Sequence, residues 1–245
     1  MTILKLDHVS LSLPHANHII LNNINYDVRH HDFIILLGGN GSGKSSLLKL
    51  IYRDYQASAG HLYLLDKLIN TYPEFDFSCR VAVLTQNAND SLFTSLTVYE
   101  NYLLTKHQHK QTFPSSQAER EYVKHYLADF NPNLATKLDN LTSQLSGGEK
   151  QALALGLCLL KKPNILLLDE HTSALDPKTS KQIMALTHKM ITEHRITCIL
   201  TTHDLQIAMD YGNRILVLRE GEIYKPFESK DKTLITKEIL AEGCY

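Results

Sequence analysis

Residues 38–46 read GGNGSGKSS, and this stretch decides the fold. It follows an apolar run at residues 33–37 (FIILL) that suits a buried strand, and residues 46–52 (SLLKLIY) open a helical pattern. The glycines therefore occupy a strand-to-helix turn. Without side chains at Gly38, Gly41 and Gly43, backbone N–H groups can converge on a polyphosphate, backed by the positive end of the helix dipole. Gly39, Asn40, Ser42 and Ser46 complete the loop. Lys44 has the charge and reach for the β- and γ-phosphates, and the Ser45 hydroxyl is placed to ligate the Mg²⁺ that bridges them. A glycine- and serine-rich turn that binds nothing is the competing reading.

Toward the N-terminus, residues 4–9 (LKLDHV) and 24–28 (INYDV) alternate in the manner of antiparallel strands with one wet face, which predicts a small β lobe against which a nucleotide base could lie. Residues 10–23, with Pro14, read as strand ends joined by a turn. On the other side of the loop, residues 62–66 and 80–85 read as strands, and the second ends in Gln86. Ligand chemistry in open α/β sheets gathers at the carboxyl ends of strands, so an amide there can touch a metal ion and an outside partner; the bland alternative is a polar loop residue.

Residues 97–130 turn helical, with a polar break at 109–117 around Pro114; Tyr99, Tyr102 and Leu103 form a stripe read as core, with packing on a partner as the alternative. Residues 141–150 (LTSQLSGGEK) then precede an apolar helix. Ser146 and Glu149 have the spacing of a capping box, while Gly147 and Gly148 are poor choices for a first turn unless an anion or another backbone approaches there. Residues 165–168 (ILLL) are a strand buried on both faces that ends in Asp169, suited to holding Mg²⁺ through water, and Glu170, suited to orienting and deprotonating an attacking water. A solvated turn is the alternative for two adjacent acids. Residues 173–177 start another helix, with Asp176 near its N-terminus. A further strand at 196–202 is followed by His203, which can donate to a γ-phosphate oxygen. Four strands thus end in Lys44, Gln86, Glu170 and His203. Residues 214–219 and 222–225 read as a closing hairpin, and 233–240 as a short helix.

With 245 residues the chain can bury a full core, and a formal net charge of -1 with pI near 6.9 argues against a nucleic-acid partner. No apolar run reaches the ~20 residues needed to cross a bilayer, and MTILKLDHVS lacks the regions of a secretion signal, so the chain is expected to stay in the cytosol. Cys79, Cys158, Cys198 and Cys244 show no metal or disulfide spacing and read as reduced thiols, three of them buried. His30, His31, His107 and His109 read as solvated surface rather than metal ligands.

With GGNGSGKS, Gln86, LSGGE, ILLLDE, SALD and His203 in that order, the whole chain resembles the nucleotide-binding subunit of ABC transporters. LSGGE discriminates, because many ATPases share a phosphate loop and an acidic strand end without it. The resemblance implies an α/β fold: a P-loop NTPase core with a small antiparallel β lobe and an inserted α-helical lobe. Within a single domain of residues 1–245, the β lobe takes 1–30 and part of 60–80, the core 31–86 and 161–225, the helical lobe with the signature 87–160, and the tail 226–245. By the same resemblance ATP and Mg²⁺ are the cofactors. Residues 38–46 are the phosphate loop, Gln86 the Q-loop glutamine and further metal contact, and Ser146, Gly147, Gly148 and Glu149 the signature. Asp169 is the Mg²⁺-associated acid, Glu170 the catalytic base, Asp176 the D-loop acid and His203 the switch histidine.

Two copies, or a pair of related ATPase subunits, pack head to tail in such proteins, each ATP lying between one copy's phosphate loop and the other's signature. Permease subunits dock near the Q-loop and the helices of 97–130, which puts the ATPase on the cytoplasmic face of the membrane. Two departures stand out. The commonest members carry arginines where this chain has Ala152 and Leu157, and a proline where it has His171. Together with residues 151–163, 165–179 and 211–218, these look like an importer-type branch that works with a permease and a substrate-binding protein on amino-acid-like solutes. Where members stack an aromatic ring on adenine, this chain offers Leu13, with His15 and His18 nearby. Export, lipoprotein release or mechanotransmission is the alternative function. A soluble relative acting on ribosomes or DNA would need a second ATPase domain, a coiled coil or a basic surplus, and none is present.

Overall fold

The alternating stretches near the N-terminus form β1 (Thr2–Ser12) and β2 (Ile19–Arg29), an antiparallel pair. The computed structural model describes residues 1–12, 19–107 and 117–228. Leu13, His15, His18, Cys244 and the helix expected at 233–240 lie outside them. By contact the chain divides into two units. The first takes in Met1–Val81, Asn164–Asp169 and the described residues from Arg195 onward; the second takes in Ala82–Pro163 and Glu170–His194.

In the first unit, β1 also pairs antiparallel with β4 (Ala59–Leu64), which pairs with the short β5 (Lys67–Leu68), giving the order β2-β1-β4-β5. This is the expected β lobe. The core sheet is built from β3 (Phe33–Leu37), β7 (Ile165–Asp169), β8 (Thr197–Thr202), β9 (Arg214–Arg219) and β10 (Glu222–Glu228) in the order β10-β9-β3-β8-β7. The pairs β3–β8, β7–β8 and β3–β9 are parallel, and β10 returns antiparallel to β9 as the closing hairpin. Every residue of β3 and β8 is buried, and so are the first four of β7. A parallel sheet covered on both faces demands this, which is why β3 and the start of β7 read as continuous rather than alternating apolar residues, and why the threonines of β8 are buried too. In register, Leu37 lies beside Thr202 and Asp169 beside Thr201, so the carboxyl ends of β3, β7 and β8 come out together.

The two sheets of this unit are fastened by polar contacts. Asn22 donates its amide N–H to the Gly221 carbonyl at 2.8 Å and its side-chain N–H to Glu222 Oε1 at 2.6 Å. The buried Arg214 guanidinium reaches Asp32 Oδ2 at 2.6 Å and the Asp27 carbonyl at 2.9 Å. Around them lie α1 (Lys44–Tyr52), α2 (Glu74–Arg80) and α8 (Leu205–Asp210), the last capped by Asp204.

The strand β6 (Val81–Leu84) carries the chain into the second unit. There α3 (Val98–His107), α4 (Gln117–Ala128), α5 (Pro132–Thr136), α6 (Gly147–Leu160) and α7 (Pro177–His194) pack on one another. Tyr99 and Tyr102 are buried and Leu103 half-buried, as the core reading of the stripe expects. Tyr126 stands at the centre of the aromatic cluster: it lies near Tyr102, Tyr122 and Phe130, and its hydroxyl donates to the Gly156 carbonyl at 2.6 Å. The buried Asn101 amide accepts from Phe93 N at 2.8 Å and donates to Phe93 O and Thr142 Oγ1, tying the segment before α3 to the one before α6. Ala152 and Leu157 are buried on α6.

Burial of the cysteines departs from expectation. Among the described residues only Cys198 is buried, while Cys79 and Cys158 are half-buried. The Cys158 thiol is itself desolvated, and burial pushes it up to about 11. No helix among the described residues is long and apolar enough to cross a membrane.

Candidate nucleotide-binding and hydrolysis site

The phosphate loop lies in the first unit, between β3 and α1. Gly43 has φ of 101°, and a Cβ there would meet Leu21 Cδ2 at 2.8 Å and Ile20 O at 3.0 Å, so only glycine turns the chain into α1 at this point. The first amides of a helix have no partner within it, and here they open onto the loop. Lys44, 6% exposed, curls back and donates to the carbonyls of Gly38 at 2.8 Å and Gly39 at 3.0 Å. Its ammonium is thus held inside the loop. Ser42 Oγ is buried with no hydrogen-bond partner in the described protein, an orphan polar atom in a loop whose residue types suit an oxyanion. Gly39, Asn40, Gly41, Ser45 and Ser46 are half-buried or exposed.

At the end of β7 the Asp169 carboxylate accepts from two hydroxyls on one oxygen, Thr201 Oγ1 at 2.6 Å and Ser45 Oγ at 3.1 Å. Thr201 is fully buried on β8, so strand register fixes the acid opposite the loop serine. Ser45 and Asp169 supply two adjacent hard oxygens. Mg²⁺ at nucleotide sites keeps several waters and takes one or two protein oxygens beside the phosphates, so this pair fits it. No group of three or more His, Cys, Asp or Glu suited to a metal exists among the described residues. His203 follows β8 directly and is exposed.

The remaining candidates belong to the second unit. Gln86 is exposed just beyond β6. Ser146 is the N-cap of α6 in a complete capping box: its Oγ accepts from Glu149 N at 3.3 Å, and its own N–H donates to Glu149 Oε2 at 2.9 Å. Glu149 Oε1 accepts from Lys137 Nζ at 2.6 Å and Asn133 Nδ2 at 3.3 Å. Burial would raise this carboxyl, but the Lys137 ammonium and the Ser146 donors outweigh it and hold it below the ordinary carboxylate value. The glutamate therefore faces its own turn. Gly148 also has an internal reason, since a Cβ there would meet Thr179 Cγ2 of α7 at 2.5 Å; close helix packing, not only ligand approach, excludes a side chain. Asp176 caps α7, its Oδ1 accepting from the amides of Lys178 and Thr179, each at 3.1 Å, and the Thr179 hydroxyl and amide hold its carboxyl low.

Glu170 adopts φ of 46°, and its carbonyl accepts from Ser173 N at 2.9 Å and Ser173 Oγ at 2.8 Å. Beside it, His171 is buried, and desolvation pushes the imidazole down to about 3, so the ring is neutral. The sequence reading did not single out Lys137, Asn133, Thr201 or Thr187. Only Thr201 had a local signal, a hydroxyl at the end of an apolar strand.

A family profile described as ABC transporter matches residues 21–173. The chain is 33% identical over 244 residues to a tyrosine transport ATP-binding protein of Clostridioides difficile, covering 98% of this chain and 97% of that one. Among solved structures it resembles cbiO1 of Clostridium perfringens, described as part of the ABC transporter complex cbiONQ, with TM-score 0.82 and 26% identity, covering 98% of this chain and 93% of that one. It also resembles the dimeric ATP-binding cassette MJ0796 bound to ADP and Pi, described as a post-hydrolysis state, with TM-score 0.77 and 26% identity, covering 93% and 99%.

Proposed function

This chain belongs to the ATP-binding subunits of ABC transporters, ATPases that energise transport, and from that premise we propose how its residues divide the work. The observation that carries the reading is the Ser45–Asp169–Thr201 cluster beside a loop wrapped round Lys44. The loop amides and Lys44 bind the triphosphate. The Lys44 ammonium leaves the Gly38 and Gly39 carbonyls for phosphate oxygens, which carry full charge and bind it more strongly. Ser45 and Asp169 would hold Mg²⁺, which when bound neutralises developing charge on the phosphates.

Glu170 orients the attacking water and takes its proton, and His203 donates to the γ-phosphate. Two copies or two paired subunits face head to tail, so that Ser146, Gly147 and Gly148 of one complete the phosphate site of the other. Glu149 keeps that turn in shape, and Asp176 fixes the start of α7 beside it. Hydrolysis then releases the pair, and the motion passes to permease subunits on the cytoplasmic side of the membrane. The similarity to a tyrosine transport protein supports amino-acid-like solutes as cargo, delivered by a substrate-binding protein.

Glu170→Gln tests this reading. The variant should bind ATP and stay paired, doubling its mass by light scattering with excess ATP and Mg²⁺. A variant that remains monomeric there refutes the composite site.

A further inference from the structure

Among the described residues, His171 is the histidine that the fold buries, with 1% of its surface exposed, and nothing in the hydrolysis scheme above uses it. It follows Glu170, whose left-handed backbone is strained for a non-glycine residue and persists only if its surroundings fix it. On one side of that strained residue, Ser173 binds the Glu170 carbonyl through both its amide and its hydroxyl. On the other, the His171 ring enters the interior of the second unit, where Nε2 lies 3.1 Å from Thr187 Oγ1. Thr187 is itself fully buried along α7, a helix of 18 residues, and so makes a rigid anchor. The other ring nitrogen, Nδ1, is buried with no partner in the described protein. Packing alone would be better served by an apolar ring, since an orphaned buried polar atom forfeits its bonds to water without replacement. The imidazole is therefore present for the bond that it does make.

We propose that His171 is a positioning residue for ATP hydrolysis, its bond to Thr187 fixing the Glu170 backbone so that the carboxylate meets the attacking water at the right angle. This rests on Glu170 being the base. A carboxylate displaced by a fraction of an ångström still binds nucleotide normally but deprotonates water more slowly, so the loss falls on kcat rather than on KM.

The test is steady-state ATP turnover of the purified full chain, with folding checked by calorimetry. His171→Ala should lower kcat by about tenfold or more while KM for ATP stays within about twofold. His171→Gln, whose side-chain amide can replace Nε2 at Thr187, should recover most of that loss. Thr187→Val should lower kcat by about threefold, and add no further loss to His171→Ala, because the two residues act as one unit. A lower Tm with kcat per folded chain unchanged would mean packing only, and overturns the proposal. So does a KM that rises with kcat intact. If His171→Ala does not fold, Thr187→Val decides alone: reduced kcat at constant KM supports positioning, and unchanged kcat overturns it. Glu170→Gln measured alongside separates the two readings. Full turnover there overturns the base assignment and the positioning role together, whereas an inert Glu170→Gln beside an unimpaired His171→Ala overturns the positioning role alone.

Discussion

Lys137→Met would remove the one ammonium bonded to Glu149 and leave the carboxylate, 7% exposed, to the Ser146 amide and the Asn133 side chain. Breaking a fully buried ion pair costs ~3–5 kcal/mol. The Lys137 side chain is 34% exposed, so solvent already screens part of the attraction, and two donors remain on the carboxylate; the expected loss is about 2 kcal/mol at neutral pH. In a chain of this length that lowers Tm by ~4–8 °C.

The sign of the pH dependence follows from the depressed Glu149 carboxyl. A carboxyl whose folded pKa is below its unfolded value contributes stability that is fully present above the unfolded value, ~4.3, and is lost as pH falls through the folded one. The gap between the parent chain and Lys137→Met should therefore be full at pH ~7 and narrow as pH falls below the unfolded value of ~4.3. Calorimetric melts across that range check it, with Glu149→Gln combined with Lys137→Met as the variant that removes the stranded charge and regains part of the loss. A gap under about 1 °C at neutral pH, or one that persists undiminished in acid, refutes the view that charge holds the signature turn.

Three other outcomes are expected. Lys44→Ala removes the loop's only ammonium and should abolish ATP binding by titration calorimetry; unchanged affinity would show that residues 38–46 are not the phosphate loop. Thr201→Val keeps the volume of a buried residue but deletes the 2.6 Å bond to Asp169 Oδ1. Bonds to charged groups contribute ~1.5–3 kcal/mol, so the Mg²⁺ needed for half-maximal turnover should rise by about tenfold, and an unaltered Mg²⁺ titration contradicts the role given to that acid. With no aromatic residue at Leu13, GTP should compete with ATP within about tenfold, a gap of ~1.4 kcal/mol, and a far larger preference in competition binding would reveal a specific adenine contact.

Much of the fold is legible because the relevant physics is local. The runs at 33–37 and 165–168 are apolar at every position, and 196–202 is apolar or β-branched throughout, as a parallel sheet covered on both faces requires. The S-x-x-E spacing at Ser146 and Glu149 closes within one turn, and the capping box forms as read. The short helices α2, α5 and α8 span only five to seven residues, too few for a helical period to stand out in the sequence. The sequence assigns Gly148 to the approach of an anion or another backbone, and packing against the Thr179 side chain supplies a cause that no pattern along the chain encodes.

The order of strands and turns, the phosphate loop and the acidic strand end are legible along the chain because each depends on residues within a few positions of one another, and the family follows from the succession of such short motifs between residues 38 and 203. Tertiary structure alone decided that Lys137 neutralises Glu149, that Thr201 and Ser45 share Asp169, and that His171 is anchored on Thr187. Those partners lie 12 to 124 positions apart. Which side chains meet across such spans is set by strand register and helix packing, through contacts that exist only once the chain has folded.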